Sequence, residues 1–180
     1  MEARRVLVLG GARSGKSAYA QRLAEAGTAE RVYLATGSAI DEEMAARIAR
    51  HRLERCGGWF TREEPLELAA ALRSEARPGR IVLVDCLTLW LSNCMLAGRQ
   101  PADETGQLCA VLEELEGPVV LVSNELGSGL VPEGKLGRDF RDAHGRLNQN
   151  IGYVCDAVVL ITAGLPSLLK PTPALSITLV

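Results

Sequence analysis

The hydrophobic positions of the chain gather into five short runs with little polar alternation: Val6 to Leu9, Arg31 to Thr36, Ile81 to Asp85, Val119 to Glu125 and Asp156 to Ile161. Runs of this kind are strands buried on both faces. Between them the pattern becomes helical. Ser17 to Leu23 has helical composition, and Met44, Ile48 and His51 recur at spacings of four and three. A helix is predicted from Pro65 through Leu66, Leu68 and Leu72, and an apolar one from Thr88 to Leu96. A polar connector, Gln100 to Glu104, leads into a further helix reaching Leu115, and Leu136, Phe140, Leu147 and Ile151 mark one face of the next, opposite Arg138, Arg141 and Arg146. Strand and helix in alternation predict an α/β fold with a mainly parallel central sheet flanked by helices. There is no internal repeat and no domain boundary, so residues 1–180 read as one domain, with about 171–180 a C-terminal extension.

The first strand runs directly into Gly10-Gly11-Ala12-Arg13-Ser14-Gly15-Lys16-Ser17, which is G-x-x-x-x-G-K-S between a strand and a helix. In that context successive backbone N–H groups and the positive end of the helix dipole surround phosphate oxygens. Lys16 is placed to reach the β- and γ-phosphates, and Ser17 to ligate Mg²⁺. The strand ending in Asp85 has the form that carries a Mg²⁺-holding carboxylate beside such a loop, with helix capping as the other reading of that acid. Thr36, Gly37 and Ser38 end the second strand where parallel sheets present loops to ligand.

Two further stretches carry chemistry. Asp41-Glu42-Glu43 opens a helix, with Asp41 its N-cap. On that helix His51 lies among Arg47, Arg50, Arg52 and Arg55. Histidine on an apolar helical face is either a satisfied core residue or, held neutral by neighbouring guanidinium groups, a nucleophile for phosphorus. Trp59 and Phe60 either fill core or stack on a base. Glu63 either accepts hydrogen bonds from a nucleotide or favours the helix that follows it.

Composition narrows the class. A formal net charge of −2 leaves no basic footprint for nucleic acid. The five cysteines, Cys56, Cys86, Cys94, Cys109 and Cys155, form no C-x-x-C pair and read as reduced, mostly buried thiols. Met1 to Arg5 lead straight into the first strand, and no apolar run approaches the ~20 residues that span a bilayer. The expectation is a soluble cytoplasmic protein that engages neither membrane nor nucleic acid.

Taken together, these stretches resemble a specific family, the bifunctional adenosylcobinamide kinases and adenosylcobinamide-phosphate guanylyltransferases of cobalamin synthesis. The resemblance rests on Gly10 to Ser17, Asp41 to Met44 with Arg47-Ile48 and His51-Arg52, and Trp59 with Thr61 and Glu63. It continues through Asp85-Cys86-Leu87-Thr88, Asn124-Glu125 with Gly127, Gly129 and Val131-Pro132-Glu133, and Phe140-Arg141-Asp142 with Gly145 to Gln149. Gly134 departs from the family run, which commonly has Asn there.

The resemblance implies a three-layer, RecA-like P-loop NTPase fold and a homotrimer. It implies two reactions: phosphorylation of adenosylcobinamide from ATP or GTP, then transfer of GMP from GTP to adenosylcobinamide phosphate, giving adenosyl-GDP-cobinamide and pyrophosphate. By the same resemblance His51 is the nucleophile that carries GMP, and Ser17 and Asp85 hold Mg²⁺. The nucleotide contacts it implies are Gly10, Gly11, Ala12, Arg13, Ser14, Gly15, Lys16, Ser17, Ala35, Thr36, Gly37, Arg52, Leu53, Glu54, Arg55, Glu63 and Asp85. Two other readings use the same loop: a P-loop kinase of another small alcohol, and a nucleotide-dependent switch without transfer chemistry. Neither has a use for a covalent nucleotide on His51.

Overall fold

The computed structural model of the chain describes residues 2–27, 30–37 and 58–172. Its elements are β1 (Arg5–Gly10), α1 (Lys16–Glu25), β2 (Glu30–Ala35), β3 (Trp59–Glu63), α2 (Leu68–Glu75), β4 (Arg80–Asp85), α3 (Leu87–Leu96), α4 (Pro101–Glu114), β5 (Val119–Asn124), α5 (Lys135–Val154), β6 (Ala157–Thr162) and β7 (Leu165–Lys170). One seven-stranded sheet collects the strands in the order β3-β2-β4-β5-β1-β6-β7. Every neighbouring pair is parallel except β6 and β7.

The aliphatic runs become the central strands because only residues such as Val and Leu can be covered on both faces. Alternate side chains then build two cores. Leu7, Val82, Val84, Val119 and Leu121 face α2, α3, α4 and α5, together with the buried Trp90, Leu108 and Leu147. Val6, Val8, Leu83, Val120 and Val122 point the other way and pack with Ala20 of α1 and with Tyr33 and Trp59. Among the described residues Cys86, Cys94 and Cys155 are buried free thiols and Cys109 is half-buried; Cys56 lies outside them. No described helix is long and apolar enough to cross a membrane.

The structure corrects several sequence expectations. The sheet has two strands more than the five predicted. β3 escapes the pattern because it is an edge strand with Phe60 and Glu63 exposed, and β7 because Leu165 to Leu169 are all exposed. Pro65 does not start α2, which begins at Leu68; Glu64, not Glu63, holds that turn, its Oε1 accepting the backbone N–H of Glu67 at 2.9 Å. Gln100 to Glu104 is not a connector, since Pro101 is already the first residue of α4, with Asp103 and Glu104 in its first turn. Phe60, offered as core or stacking residue, is 62% exposed. The helix predicted after Asp41, with His51 and Arg52 to Arg55, lies outside the described residues, as does Ser38.

One ion pair anchors the end of the sheet opposite the loops. Asp156, just before β6, accepts the backbone N–H groups of Arg4 and Arg5, each at 2.9 Å, and its Oδ1 takes Arg5 Nη2 at 2.8 Å. Burial pushes the Asp156 carboxyl up, but the hydrogen bonds from the Arg5 side chain and from both backbone groups outweigh it, and its pKa is lowered. A carboxylate depressed in the native state contributes stability above the ordinary carboxylate range and loses it as pH falls through the native value. Asp156→Asn is therefore expected to flatten the loss of stability below about pH 4. Urea midpoints at acid and neutral pH check this; an equal acid loss in parent and variant would refute it.

Candidate active site

The C-terminal strand ends form one edge, and strand register brings the predicted residues onto it. Glu63 of β3 pairs with Ala35 of β2, and Ala35 pairs with Asp85 of β4, so the three stand in a row on adjacent strands. β5 reaches further: Asp85 pairs with Val122, whereas Gly10 of β1 pairs with Asn124. With β5 between them, β1 and β4 are two strand spacings apart, about 10 Å. The glycine loop and Asp85 thus stand on the same sheet edge, on either side of the tip of β5.

The loop is shaped by backbone constraints. Ser14 N–H donates to the Gly11 carbonyl at 3.3 Å, and Arg13 and Gly15 take φ of 56° and 95°. Left-handed residues at these points turn neighbouring N–H groups toward one centre, as anion-binding backbone nests do. A Cβ on Gly10 would stand 2.4 Å from Ser14 Oγ and 2.7 Å from the Ile161 carbonyl oxygen, so only glycine fits there. α1 begins at Lys16 without a side-chain cap, which leaves its first N–H donors and positive dipole end for a ligand. Lys16 is buried, and its Nζ donates to the Gly11 carbonyl at 3.2 Å, so the ammonium is held over the loop.

Two outside contacts brace the loop. Glu125 N–H donates to the Gly10 carbonyl at 3.0 Å, and Gly164 N–H to the Ser14 carbonyl at 2.9 Å. Gly164 and Ala163 link β6 to β7 with φ of 79° and 51°, the paired positive values of a tight type I′ hairpin.

Asp85 is oriented from β2. Tyr33 donates its hydroxyl to Asp85 Oδ2 at 2.9 Å. The Tyr33 ring is met edge-on by Trp59, with centroids 6.2 Å apart, and Trp59 Nε1 donates to Glu25 Oε1 at 3.0 Å. Trp59 is thus a packing residue behind Asp85. The neighbouring Cys86 thiol is pushed up to about 11, first by burial and then by Asp85, and stays protonated at neutral pH.

Thr36 is fully buried, and its hydroxyl both accepts from Cys86 N–H at 2.8 Å and donates to the Cys86 carbonyl at 2.7 Å. Its carbonyl takes Asn93 Nδ2 at 2.8 Å. Thr36 therefore ties the end of β2 to the segment that follows Asp85. Gly37, next along the chain, packs close to Leu89 of α3, where a Cβ would approach Leu89 Cδ1 to 3.1 Å.

The donors of the loop are N–H groups and an ammonium, the chemistry of a phosphate site. Ser17 and Asp85 offer hydroxyl and carboxylate oxygens, the hard ligands Mg²⁺ prefers. Among the described residues no three His, Cys, Asp or Glu side chains gather to hold a metal. The donor set thus fits an ion held by one or two protein oxygens and completed by nucleotide phosphates and water.

Sequence reasoning missed a buried polar group beneath this edge. His144 of α5 is 1% exposed, and burial lowers its pKa against the opposing pull of Glu125. Its Nε2 lies 3.0 Å from Thr88 Oγ1 and 3.3 Å from Ser123 Oγ. Ser123 Oγ donates to Asn148 Oδ1 at 2.7 Å, Asn148 Nδ2 to the Asn124 carbonyl at 2.9 Å, and Asn124 N–H to Thr88 Oγ1 at 3.0 Å. The available signal was position: 140, 144, 147 and 151 share one helical face, and a histidine among Phe140, Leu147 and Ile151 is a polar residue on an apolar stripe. Leu136, assigned to that stripe, is exposed instead.

Comparison with known proteins agrees with this geometry. Residues 6–169 match the family described as cobinamide kinase / cobinamide phosphate guanyltransferase. The chain is 52% identical over 172 residues to the bifunctional adenosylcobalamin biosynthesis protein CobP of Pseudomonas aeruginosa, covering 94% of this chain and 99% of that protein. It is 38% identical over 176 residues to the bifunctional adenosylcobalamin biosynthesis protein CobU of Salmonella typhimurium, covering 89% and 96%. Among solved structures, it resembles a type III secretion ATPase of pathogenic bacteria at 14% identity and a TM-score of 0.51, over 88% of this chain and 51% of that one. The assembled ATPase EscN of enteropathogenic E. coli is similar at 16% identity and a TM-score of 0.53, over 89% and 43%. The chain spans about half of those ATPases or less, and at such identity the likeness is one of fold: a P-loop NTPase sheet.

Proposed function

The chain belongs to the cobinamide kinase / cobinamide phosphate guanyltransferase family and is a bifunctional enzyme of adenosylcobalamin biosynthesis with both activities; we propose that His51 carries the second of them as a guanylyl-histidine. In the first reaction the hydroxyl oxygen of adenosylcobinamide attacks the γ-phosphorus of ATP or GTP. The bond to the β-phosphate oxygen breaks, and the hydroxyl proton is released. The backbone N–H groups of Gly10 to Ser17, with Lys16, hold the phosphates and offset the charge that spreads over their oxygens. Ser17 and Asp85 hold Mg²⁺, which supplies further charge neutralisation when bound.

In the second reaction neutral imidazole of His51 attacks the α-phosphorus of GTP, and pyrophosphate leaves. The phosphate of adenosylcobinamide phosphate then displaces the imidazole and gives adenosyl-GDP-cobinamide. Dividing one displacement between two charged partners into two steps is what a covalent nucleophile offers. Ala35, Thr36, Gly37, Glu63 and the stretch Arg52, Leu53, Glu54 and Arg55 complete the nucleotide contacts in this reading, with Thr36 acting through its hold on Cys86. The resemblance further supports a homotrimer in the cytoplasm that takes adenosylcobinamide and its phosphate as partners.

The observation that supports the reading is that the family match spans residues 6–169, a range that includes both the phosphate loop and the His51 stretch. Incubation with Mg²⁺ and α-labelled GTP, followed by denaturation, is expected to leave acid-labile, alkali-stable label on the peptide that contains His51. Label absent from the chain, or found on another peptide, would overturn the assignment.

A further inference from the structure

The ring of hydrogen bonds around His144 joins three elements that flank the site. Thr88 stands in the first turn of α3, three residues after Asp85. Ser123 and Asn124 are the last residues of β5, and His144 and Asn148 belong to α5. Both backbone polar groups of Asn124 are spent in the ring, its N–H on Thr88 and its carbonyl on Asn148. The next residue, Glu125, holds the phosphate loop through the Gly10 carbonyl. A continuous path of bonds therefore runs from the segment after Asp85, through Thr88 and the tip of β5, to the loop.

Hydrogen accounting identifies what His144 contributes. Ser123 has one hydroxyl hydrogen and gives it to Asn148, so it presents only lone pairs to the imidazole. Thr88 Oγ1 already accepts from Asn124, and its own hydrogen needs an acceptor. A neutral imidazole unprotonated at Nε2 accepts that hydrogen and closes the ring; an Nε2–H would instead be shared between the Thr88 and Ser123 oxygens and leave the Thr88 hydrogen to find another acceptor. An apolar side chain can do neither. Fully satisfied, such a buried network fixes one arrangement of its members; with one partner removed it leaves buried groups unpaired.

We infer that His144 is a positioning residue for phosphoryl transfer, setting the placement of the phosphate loop on β1 relative to Asp85 on β4 through the hydrogen-bond ring at the tip of β5. At 1% exposure it does not itself touch substrate. The inference rests on the reading that the loop and Asp85 hold the nucleotide and its metal ion.

The test is the kinase reaction with ATP, Mg²⁺ and adenosylcobinamide, in four variants of the whole chain. His144→Phe keeps an aromatic ring beside Phe140, whose centroid is 5.8 Å away, but cannot complete the ring of bonds. His144→Gln loses the aromatic ring but places an amide that can accept or donate near the position of Nε2. Thr88→Val and Thr88→Ser make the same contrast from the other side. Misplacing reacting groups by about an ångström costs on the order of a hundredfold. His144→Phe and Thr88→Val are accordingly expected to lower kcat by about 10- to 100-fold, with ATP affinity within about threefold of the parent. His144→Gln and Thr88→Ser should keep kcat within about fivefold. A packing role alone predicts the reverse order for the two His144 variants.

Folded His144→Phe and Thr88→Val proteins with parental kcat would overturn the inference. Should His144→Phe not fold, the Thr88 pair decides by the same criterion. Asp85→Asn serves as the reference. If it abolishes transfer while His144→Phe and Thr88→Val keep the parental kcat, the positioning role alone fails; if it leaves transfer intact, the reading of Asp85 fails and the inference with it.

Discussion

Lys16→Ala is expected to lower kcat/KM for phosphoryl transfer by about a thousandfold, equivalent to ~4 kcal/mol of transition-state stabilisation. The ammonium is buried and held over the loop by the Gly11 carbonyl, so it is positioned before substrate arrives and needs little reorganisation as charge develops. Alanine leaves the N–H groups of the loop and the helix dipole in place but removes the buried ammonium held over the loop. In the proposed mechanism the same loop holds the triphosphate in both reactions, so GMP transfer should fall with the kinase step. Steady-state rates of the two reactions check this, with thermal melting to establish that the variant is folded. Either activity within tenfold of the parent would show that Lys16 does not carry the charge assigned to it.

Gly117→Ala is expected to destabilise the fold strongly, and more than Gly79→Ala does. Gly117 precedes β5 and lies against the turn between α2 and β4. A Cβ there would stand 2.3 Å from the Arg77 nitrogen and 2.6 Å from both the Ala76 carbonyl carbon and the Arg77 oxygen. All three atoms are backbone, so no side chain can swing aside, and the two turns must separate. Those turns lead into β4 and β5, which are joined there by Val82 N–H donating to the Pro118 carbonyl at 3.0 Å. Overpacking of this kind costs about 3 kcal/mol, or roughly a 6–12 °C fall in melting temperature for a chain of this size. Gly79→Ala is the comparison: its φ is +82° but nothing lies within 4 Å of the added atom, so only backbone strain of about 1 kcal/mol is incurred. Calorimetric melting of both variants checks the order, and a Gly117→Ala shift no larger than that of Gly79→Ala would refute it.

The legible parts of this fold are those where a single local rule suffices. β1, β2, β4, β5 and β6 are interior strands, buried on both faces, and their aliphatic runs announce them. The phosphate loop is legible because its glycines, lysine and serine must fall at fixed spacing for the backbone to wrap an anion. β3 and β7 are edge strands with a neighbour on one side only, and their side chains are free of the demand for burial that makes a strand recognisable.

What could not be read is what depends on residues distant in sequence. Tyr33 orients Asp85 from 52 positions away, and Thr88 meets His144 across 56. Neither pairing leaves a local pattern. Trp59 shows the same limit: alone it reads as core or as a stacking residue, and its partners Tyr33 and Glu25 place it only once the sheet is assembled.

Strand order also governs when the site comes into being. The phosphate loop follows β1, which is made before its partners β5 and β6, and the loop is braced by Glu125 and Gly164. As the chain is synthesised, residues 10–17 leave the ribosome before any of these supports exists, and such distant contacts are the slow ones to form. The motif is thus made early and is among the last parts of the molecule to acquire its shape. A nascent or truncated chain that stops short of the β6–β7 hairpin carries the complete signature of a nucleotide-binding protein without the means to hold a nucleotide.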